Sequence, residues 1–313
     1  MLDILNVSFI QDLLLSTIRM ATPILIVALA ELYSEKAGLV NIGLDGIMSF
    51  GALIGFLVSY ITGSPFLGIL AGAFGGILIN MVYAFCTITL GAEQIVYGMA
   101  INIFAPAIAS FIYKVYFGIN SSLIQANLMQ EFPIPVLSKI PIFGNLFFNH
   151  TPIVYLAYLF VPITYIFFNK TKIGLNYRAV GEHPKAAESL GINVVSYKYI
   201  ASIICGAIAG IGGAYLTTCY ISTYTDGVVS GRGFIALSAV IFGRWMPGGI
   251  LVAALLFGFT DALQIRLQVM SANTPYQLLA MIPYLSTLFV LAFLGIKKAG
   301  PKACGKPYFR EER

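Results

Sequence analysis

Residues Ile200–Ala214 read Ile-Ala-Ser-Ile-Ile-Cys-Gly-Ala-Ile-Ala-Gly-Ile-Gly-Gly-Ala, an uncharged stretch within a longer apolar run at 198–220. Small residues recur in it every four positions: Gly206, Gly210 and Ala214. Residues at this spacing share one face of an α-helix and let a second helix backbone approach closely within a membrane. A matching row lies in an earlier apolar run: Gly68, Gly72 and Gly76. The stretch therefore predicts a tightly packed membrane helix.

The composition of the whole chain agrees with a membrane location. Of the 313 residues, 58% are hydrophobic and only 10% are charged, which excludes a water-soluble globular fold. A helix needs about 20 apolar residues to cross a hydrocarbon core of roughly 30 Å. Long runs without alternating polarity favour helices over an outer-membrane barrel. The predicted fold class is all-α, a polytopic helical membrane bundle.

The apolar runs predict about nine spans, within a range of roughly 8–10. They lie at 10–31, 42–61, 66–90, 95–117, 152–169, 198–220, 233–244, 249–267 and 277–296. The run at 233–244 is short for a full crossing, and the second run begins with the polar stretch Asn41-Ile-Gly-Leu-Asp-Gly46. Both features are typical of broken or re-entrant helices. Residues 1–296 are thus predicted to form a single transmembrane domain.

Basic residues predict the orientation, because cytoplasmic loops carry an excess of Lys and Arg. They concentrate in a polar loop at 170–198 and in a basic tail at 297–313. Both regions are predicted to lie in the cytoplasm, which the even number of spans between them allows. A total of about nine spans then places the N-terminus outside and makes 118–151 a large external loop.

The polar loop contains the stretch Arg178-Ala-Val-Gly-Glu-His-Pro-Lys-Ala-Ala-Glu-Ser-Leu-Gly191. Pro184 suits the first position of a helix, and Gly191 suits its C-terminal stop. Ala186 and Ala187 are predicted to give it a smooth face of small residues. A helix this short is marginal alone in water, so it is predicted to dock on its own membrane helices or on a partner protein.

Polar residues within or beside the spans are candidates for a substrate pathway, since ionisable groups are costly in a bilayer. The candidates lie at a helix break, in mid-span or in a glycine-rich segment: Asn41, Asp45, Asn102, Asp226 and Arg232. A helix break exposes backbone donors and acceptors that can bind a polar solute. The alternative is an internal polar network that holds interrupted helices together. Glu31, Glu35 and Lys114 are interpreted as structural.

The sequence predicts no enzyme site. The two histidines, His150 and His183, form neither a zinc motif nor part of a Ser-His-Asp arrangement. A phosphate-binding loop of the Gly-x4-Gly-Lys-Ser/Thr type is missing, so the chain is not its own ATPase. No metal, bound cofactor or nucleic acid is predicted for this chain. If ATP drives it, another subunit binds the ATP.

Three blocks of sequence together resemble one family. They are Glu35-Lys-Ala-Gly-Leu-Val-Asn-Ile-Gly-Leu-Asp-Gly46, the stretch at 178–191, and Gly231-Arg-Gly-Phe-Ile-Ala-Leu-Ser-Ala-Val-Ile-Phe-Gly-Arg-Trp-Met-Pro-Gly248. In this order and with this span pattern, the chain resembles the permease subunits of bacterial ABC importers of the branched-chain amino acid and simple-sugar permease superfamily. The resemblance is greatest to the nucleoside and simple-sugar branch.

The resemblance implies a permease domain that carries a small polar solute across the bacterial cytoplasmic (inner) membrane by alternating access. It implies partner ATPase subunits that bind ATP and Mg²⁺, and an external substrate-binding protein or lipoprotein. It also implies a second permease, with a heterodimer favoured over a homodimer. Loop 170–198 becomes a coupling loop, because Lys185-Ala-Ala-x-x-x-Gly191 resembles the Glu-Ala-Ala-x-x-x-Gly motif that docks on an ATPase. The coupling residues are Arg178, Gly181, Glu182, Pro184, Lys185, Ala186, Ala187 and Gly191.

The identity of the solute is open at this point. Purine nucleosides are favoured, and simple sugars or riboflavin-like heterocycles are the alternatives. A rival function is an ion-coupled secondary transporter, which would use residues such as Asp45 and Asp226. The docking-type loop and the lack of a dense set of intramembrane carboxylates argue against that rival.

Overall fold

The computed structural model describes residues 7–118, 124–135, 146–270, 275–283, 285–286, 288–289 and 300–309. Its helices are α1 (Val7–Lys36), α2 (Leu44–Thr62), α3 (Pro65–Ala84), α4 (Gln94–Phe117), α5 (Pro152–Lys170), α6 (Lys172–Glu182), α7 (Pro184–Ser189), α8 (Val194–Tyr215), α9 (Arg232–Phe242), α10 (Pro247–Met270) and α11 (Tyr276–Ala280). Two π-helical turns, Phe85–Thr89 and Leu216–Tyr220, extend α3 and α8. A short β1 (Phe132–Pro133) pairs antiparallel with β2 (Asn149–His150).

Within the described residues, seven helical stretches are long and apolar enough to cross a membrane. They are Phe9–Lys36, Leu44–Thr62, Pro65–Thr89, Gln94–Phe117, Pro152–Lys170, Val194–Tyr220 and Pro247–Val269. The polytopic helical bundle is thus confirmed. The predicted last span, 277–296, falls partly outside the described residues, as do parts of loop 118–151 and of tail 297–313. The total of about nine spans stays a prediction.

The two rows of small residues meet where α3 packs against α8. Gly76 lies against the backbone of Gly206 and Gly210, and Gly72 lies against Ala214. A Cβ added to Gly210 would collide with the backbone carbonyl of Gly72. The packing role predicted for these residues is confirmed, and it places α8 at the centre of the bundle, against α1, α2 and α3.

The chain between α1 and α2 is interrupted, and residues 39–43 form the segment that we call the helix break. The chain turns at Gly38, whose φ of +84° is a left-handed conformation that favours glycine. The helix break is non-helical but largely buried. Buried backbone groups need hydrogen-bond partners. Side chains from neighbouring helices must therefore form the backbone hydrogen bonds that a continuous helix would form within itself.

The short helix α9 is bounded by left-handed residues at both ends. Gly231 precedes it with a φ of +77°, and Arg244 and Trp245 follow it, each with a φ of +53°. At 11 residues, α9 is about 16 Å long, roughly half of a hydrocarbon core of about 30 Å. The prediction that this run is too short for a full crossing agrees with its observed length.

The connection between α4 and α5 lies at the far end of the bundle from the coupling loop. Gln94, at the start of α4, contacts the tail segment that also bonds to the coupling loop. Phe117, at the other end of α4, leads into the connection. Arg19 of α1 pairs there with Glu131. The two loops are thus separated by the length of α4, about 36 Å for 24 residues.

Candidate functional site

The coupling loop folds as two short helices, α6 and α7. The Thr171 hydroxyl accepts a hydrogen bond from the Gly174 amide at 3.0 Å and caps the start of α6. Helix α7 has Pro184 in its first turn, and Gly191 follows it with a φ of +84°. The Gly191 amide donates to the Glu188 carbonyl at 2.9 Å. The predicted helix with a proline start and a glycine stop is therefore present.

The predicted face of small residues is divided in the structure. Ala187 is buried in a small cluster with Val180 and Val194, whereas Ala186 is exposed. Consecutive helical residues point about 100° apart, so neighbours such as these cannot share one narrow face. Ala187 therefore anchors α7 to the protein. The outward side carries Ala186 and Leu190, and Leu190 is 81% exposed.

The other predicted coupling residues have different surroundings. Gly181 is buried where α6 meets the end of α1, and a Cβ there would collide with the Lys36 carbonyl. Arg178 and Pro184 are half-buried, and Glu182 and Lys185 are exposed. Gly181 thus permits a close backbone contact. The ATPase-docking role of these residues stays a prediction.

A buried polar network holds the helix break, and Asn41 is its centre. The backbone amide of Asn41 donates to Glu31 Oε1 at 2.8 Å, and the side-chain Nδ2 of Asn41 donates to Asn80 Oδ1 at 2.7 Å. Asn41 Oδ1 accepts from the Gly43 amide at 3.0 Å. Glu31, Asn41 and Asn80 are at most 1% exposed. Sequence reasoning missed Asn80, although a lone amide inside the apolar run at 66–90 is a signal that could have identified it.

Two further predicted residues bind the edges of this helix break. Asn102 Oδ1 accepts from the Gly46 amide, and Asn102 Nδ2 donates to the Ile42 carbonyl, both at 2.8 Å. Asp45 Oδ1 accepts from the Gly233 amide at 3.0 Å. Asn102 thereby joins α4 to the start of α2, and Asp45 joins the start of α2 to the start of α9.

The side chains of Asp226 and Arg232 make their hydrogen bonds to other groups. Asp226 Oδ2 is 3.1 Å from Lys114 Nζ and accepts from the Ser110 hydroxyl at 3.1 Å. Lys114 is therefore an ion-pair partner as well as a residue near the end of a span. Arg232 Nη1 donates to the carbonyls of Val228 and Val229, in the turn before α9.

Gln94, which sequence reasoning did not single out, also supports the helix break. Its Oε1 accepts from the Val40 amide at 2.8 Å, and the Tyr83 hydroxyl donates to the Val40 carbonyl. The backbone amide and the backbone carbonyl of Val40 are thus both hydrogen-bonded to side chains. Taken together, these contacts have the geometry of the internal polar network that was the alternative interpretation, and contact with a solute stays a prediction for all five pathway residues.

Burial shifts the pKa of three side chains that lie outside the spans, His150, Tyr224 and Cys304. Burial lowers the pKa of His150, and the nearby Arg19 guanidinium lowers it further. Burial raises the pKa of Tyr224 to about 12. The pKa of the Cys304 thiol is also raised, mainly by burial and then by the negative charge of Glu35. His150 is thus favoured in its neutral form, and Tyr224 and Cys304 stay protonated near neutral pH.

Comparison with known proteins identifies the family. A family model described as the permease component of the branched-chain amino acid transport system matches residues 13–294. The nucleoside ABC transporter permease protein NupC of Lactococcus lactis is 34% identical, covering 98% of this chain and 99% of its own. The guanosine ABC transporter permease protein NupQ of Bacillus subtilis is 37% identical, covering 95% and 96%. The putative glucose ABC transporter permease protein TsgC13 of Haloferax volcanii is 35% identical, covering 97% and 99%.

These matches extend over nearly the whole chain, and all three relatives are named as permeases. They agree with the seven apolar helices and with the predicted resemblance. The chain therefore belongs to the family of branched-chain amino acid transport system permease components and is a multi-pass membrane permease.

Proposed function

We propose that this chain is the translocation subunit of an ATP-driven importer in the bacterial cytoplasmic membrane, and that its solute is a nucleoside, with purine nucleosides favoured. The observation that carries this proposal is the near end-to-end identity of 34% and 37% with permeases named for nucleosides and for guanosine.

In this proposal α7 docks on a partner ATPase, which binds ATP and Mg²⁺, while this chain hydrolyses nothing. Support comes from the outward side of α7, where Ala186 is exposed and Leu190, directly after the helix, is 81% exposed, while Ala187 anchors the helix. An exposed aliphatic side chain on such a helix can fill an apolar groove of a partner. The coupling loop and the tail then lie in the cytoplasm, and the N-terminus lies outside.

A second, different permease completes the proposed translocation unit, and an external binding protein or lipoprotein delivers the solute. Support for two unlike permeases comes from Lactococcus lactis, where both NupC and NupB match this chain. NupB is the more distant of the two, at 27% identity over 77% of this chain. A heterodimer is therefore favoured.

Uptake in the native host tests the function. Deletion of the gene should abolish uptake of tritiated guanosine, and expression of the chain from a plasmid should restore it. Glucose uptake serves as the matched control. Loss of glucose uptake with intact guanosine uptake would contradict the nucleoside assignment and favour a sugar permease, the second candidate, which the identity of 35% with TsgC13 supports.

Dissipating the ion gradients separates ATP-driven from ion-coupled transport. We expect uptake to continue in energised vesicles that hold ATP after an uncoupler has collapsed the proton gradient. Uptake that persists without ATP and disappears with the gradient would contradict the proposal.

A further inference from the structure

The C-terminal segment Gly300–Phe309, which we call the strap, lies across the coupling loop. The Ala303 amide donates to the Gly181 carbonyl at 3.0 Å. The Tyr308 hydroxyl donates to the Glu188 carboxylate. Gly181 belongs to α6 and Glu188 to α7, so the strap is bonded to both helices of the coupling loop.

The strap also contacts the residue that supports the helix break. Gln94 Nε2 donates to the Lys306 carbonyl at 3.4 Å, while Oε1 of the same side chain accepts from the Val40 amide at 2.8 Å. A single side chain therefore joins the strap to the helix break. This makes a continuous series of contacts from α7, through Tyr308 and Lys306, to Val40.

The strap is held in place by buried contacts. Lys198 is 2% exposed, and its Nζ lies 5.5 Å from the centroid of the Tyr308 ring. A cation over an aromatic face is attracted more strongly where water is excluded. The Cys304 thiol lies 3.8 Å from the Glu35 carbonyl at the end of α1. The strap therefore packs on the bundle itself.

We propose that the strap is a positioning element that relays movement of α7 to the helix break at residues 39–43. The inference rests on the proposed function, because it takes α7 to be the helix that docks on the ATPase. A helix of six residues is marginal by itself, so its position depends on the contacts that hold it, and the Tyr308–Glu188 hydrogen bond is one of them. Energetic coupling between sites needs an element that both sites bias, and the strap contacts both.

The test uses the complete transporter, purified with its ATPase, second permease and receptor, in proteoliposomes. Three quantities are measured: ATPase subunit retained on purification, ATP hydrolysis, and transport of tritiated guanosine per ATP hydrolysed. The variants are Tyr308→Phe, Glu188→Ala and their double mutant. Tyr308→Phe removes one hydroxyl but keeps the ring beneath Lys198. The matched control is Lys302→Ala, an exposed residue of the same strap.

We expect Tyr308→Phe to retain the ATPase subunit and to lower transport per ATP severalfold, while Lys302→Ala leaves all three quantities unchanged. Transport per ATP in the double mutant should be no lower than in the more impaired single mutant, because both changes remove the same hydrogen bond. Normal transport per ATP in Tyr308→Phe would overturn the relay. A parallel fall in yield and in all three quantities would also overturn it, since the strap would then only stabilise the fold.

Failure of the proposed function and failure of the relay alone give different results. If the unaltered chain retains no ATPase subunit and transports guanosine without ATP, α7 is not a coupling helix, and the relay is overturned together with the proposed function. A different result separates the two ideas. If the unaltered chain retains the ATPase and needs ATP for transport, but Tyr308→Phe and Glu188→Ala behave like Lys302→Ala, the proposed function stands and the relay alone is overturned.

Discussion

At the scale of single residues, amide side chains hold the helix break by replacing helical hydrogen bonds. Asn102 bonds both the Gly46 amide and the Ile42 carbonyl, and Asn41 bonds the Gly43 amide. An amide can donate and accept at once without a charge. This explains why amides can serve at a break inside an apolar bundle, where a charged group would be costly.

Replacing Asn102 by Leu should destabilise the protein. The change leaves the Gly46 amide and the Ile42 carbonyl without partners, and an unsatisfied buried polar group costs about 1–3 kcal/mol. Thermal unfolding in detergent measures the loss, with the exposed Asn169→Leu as control. Equal unfolding temperatures in the two variants would contradict the assigned role. Guanosine uptake should fall with Asn102→Leu as well, because the break loses one of its two side-chain connections to α4 and keeps only the one through Gln94.

The pH dependence of stability should contain a contribution from His150. Its folded pKa lies below its usual value of about 6.5, so the unfolded chain binds a proton more readily. The contribution is fully present above about pH 6.5 and is lost as the pH falls through the lower, folded pKa. Unfolding temperatures measured between about pH 5 and 8 should therefore decline less steeply for His150→Gln than for the unaltered chain. Parallel curves would contradict this.

At the scale of elements, α7 shows how a short helix can have one anchored side and one free side. Ala187 packs with Val180 and Val194, while Ala186 and Leu190 are exposed. The sequence predicted where this helix starts and stops, because proline and glycine act locally. It did not show which alanine faces the protein, because that depends on where α6 and α8 lie.

Charges placed on the two sides of α7 should have different effects. Ala186→Asp puts a charge on the exposed side, so the chain should keep its thermal stability and lose the copurified ATPase subunit. Ala187→Asp buries a charge against Val180 and Val194, so stability and ATPase retention should both fall. Retention of the ATPase by Ala186→Asp would contradict docking through this side.

At the scale of the whole molecule, the bundle is built around helices that meet through glycines. Gly76, Gly206 and Gly210 bring α3 and α8 into backbone contact. The helix break lies beside this centre, since Asn41 of the break contacts Asn80 of α3 and lies near Cys205 of α8. The coupling loop and the long connection lie at opposite ends of α4. This arrangement places the proposed docking site and the proposed external face on different sides of the bundle.

The sequence by itself determined the membrane class, most of the spans, the interruption before α2 and the short helix at Pro184. Each of these depends on hydrophobicity or on proline and glycine within about 20 neighbouring residues. Only the tertiary structure decided which polar groups meet. Asn41 and Asn80 are 39 residues apart, and Glu188 and Tyr308 are 120 apart. Such pairs form only after whole helices have packed, and helix packing depends on the shapes of all the contacting faces together.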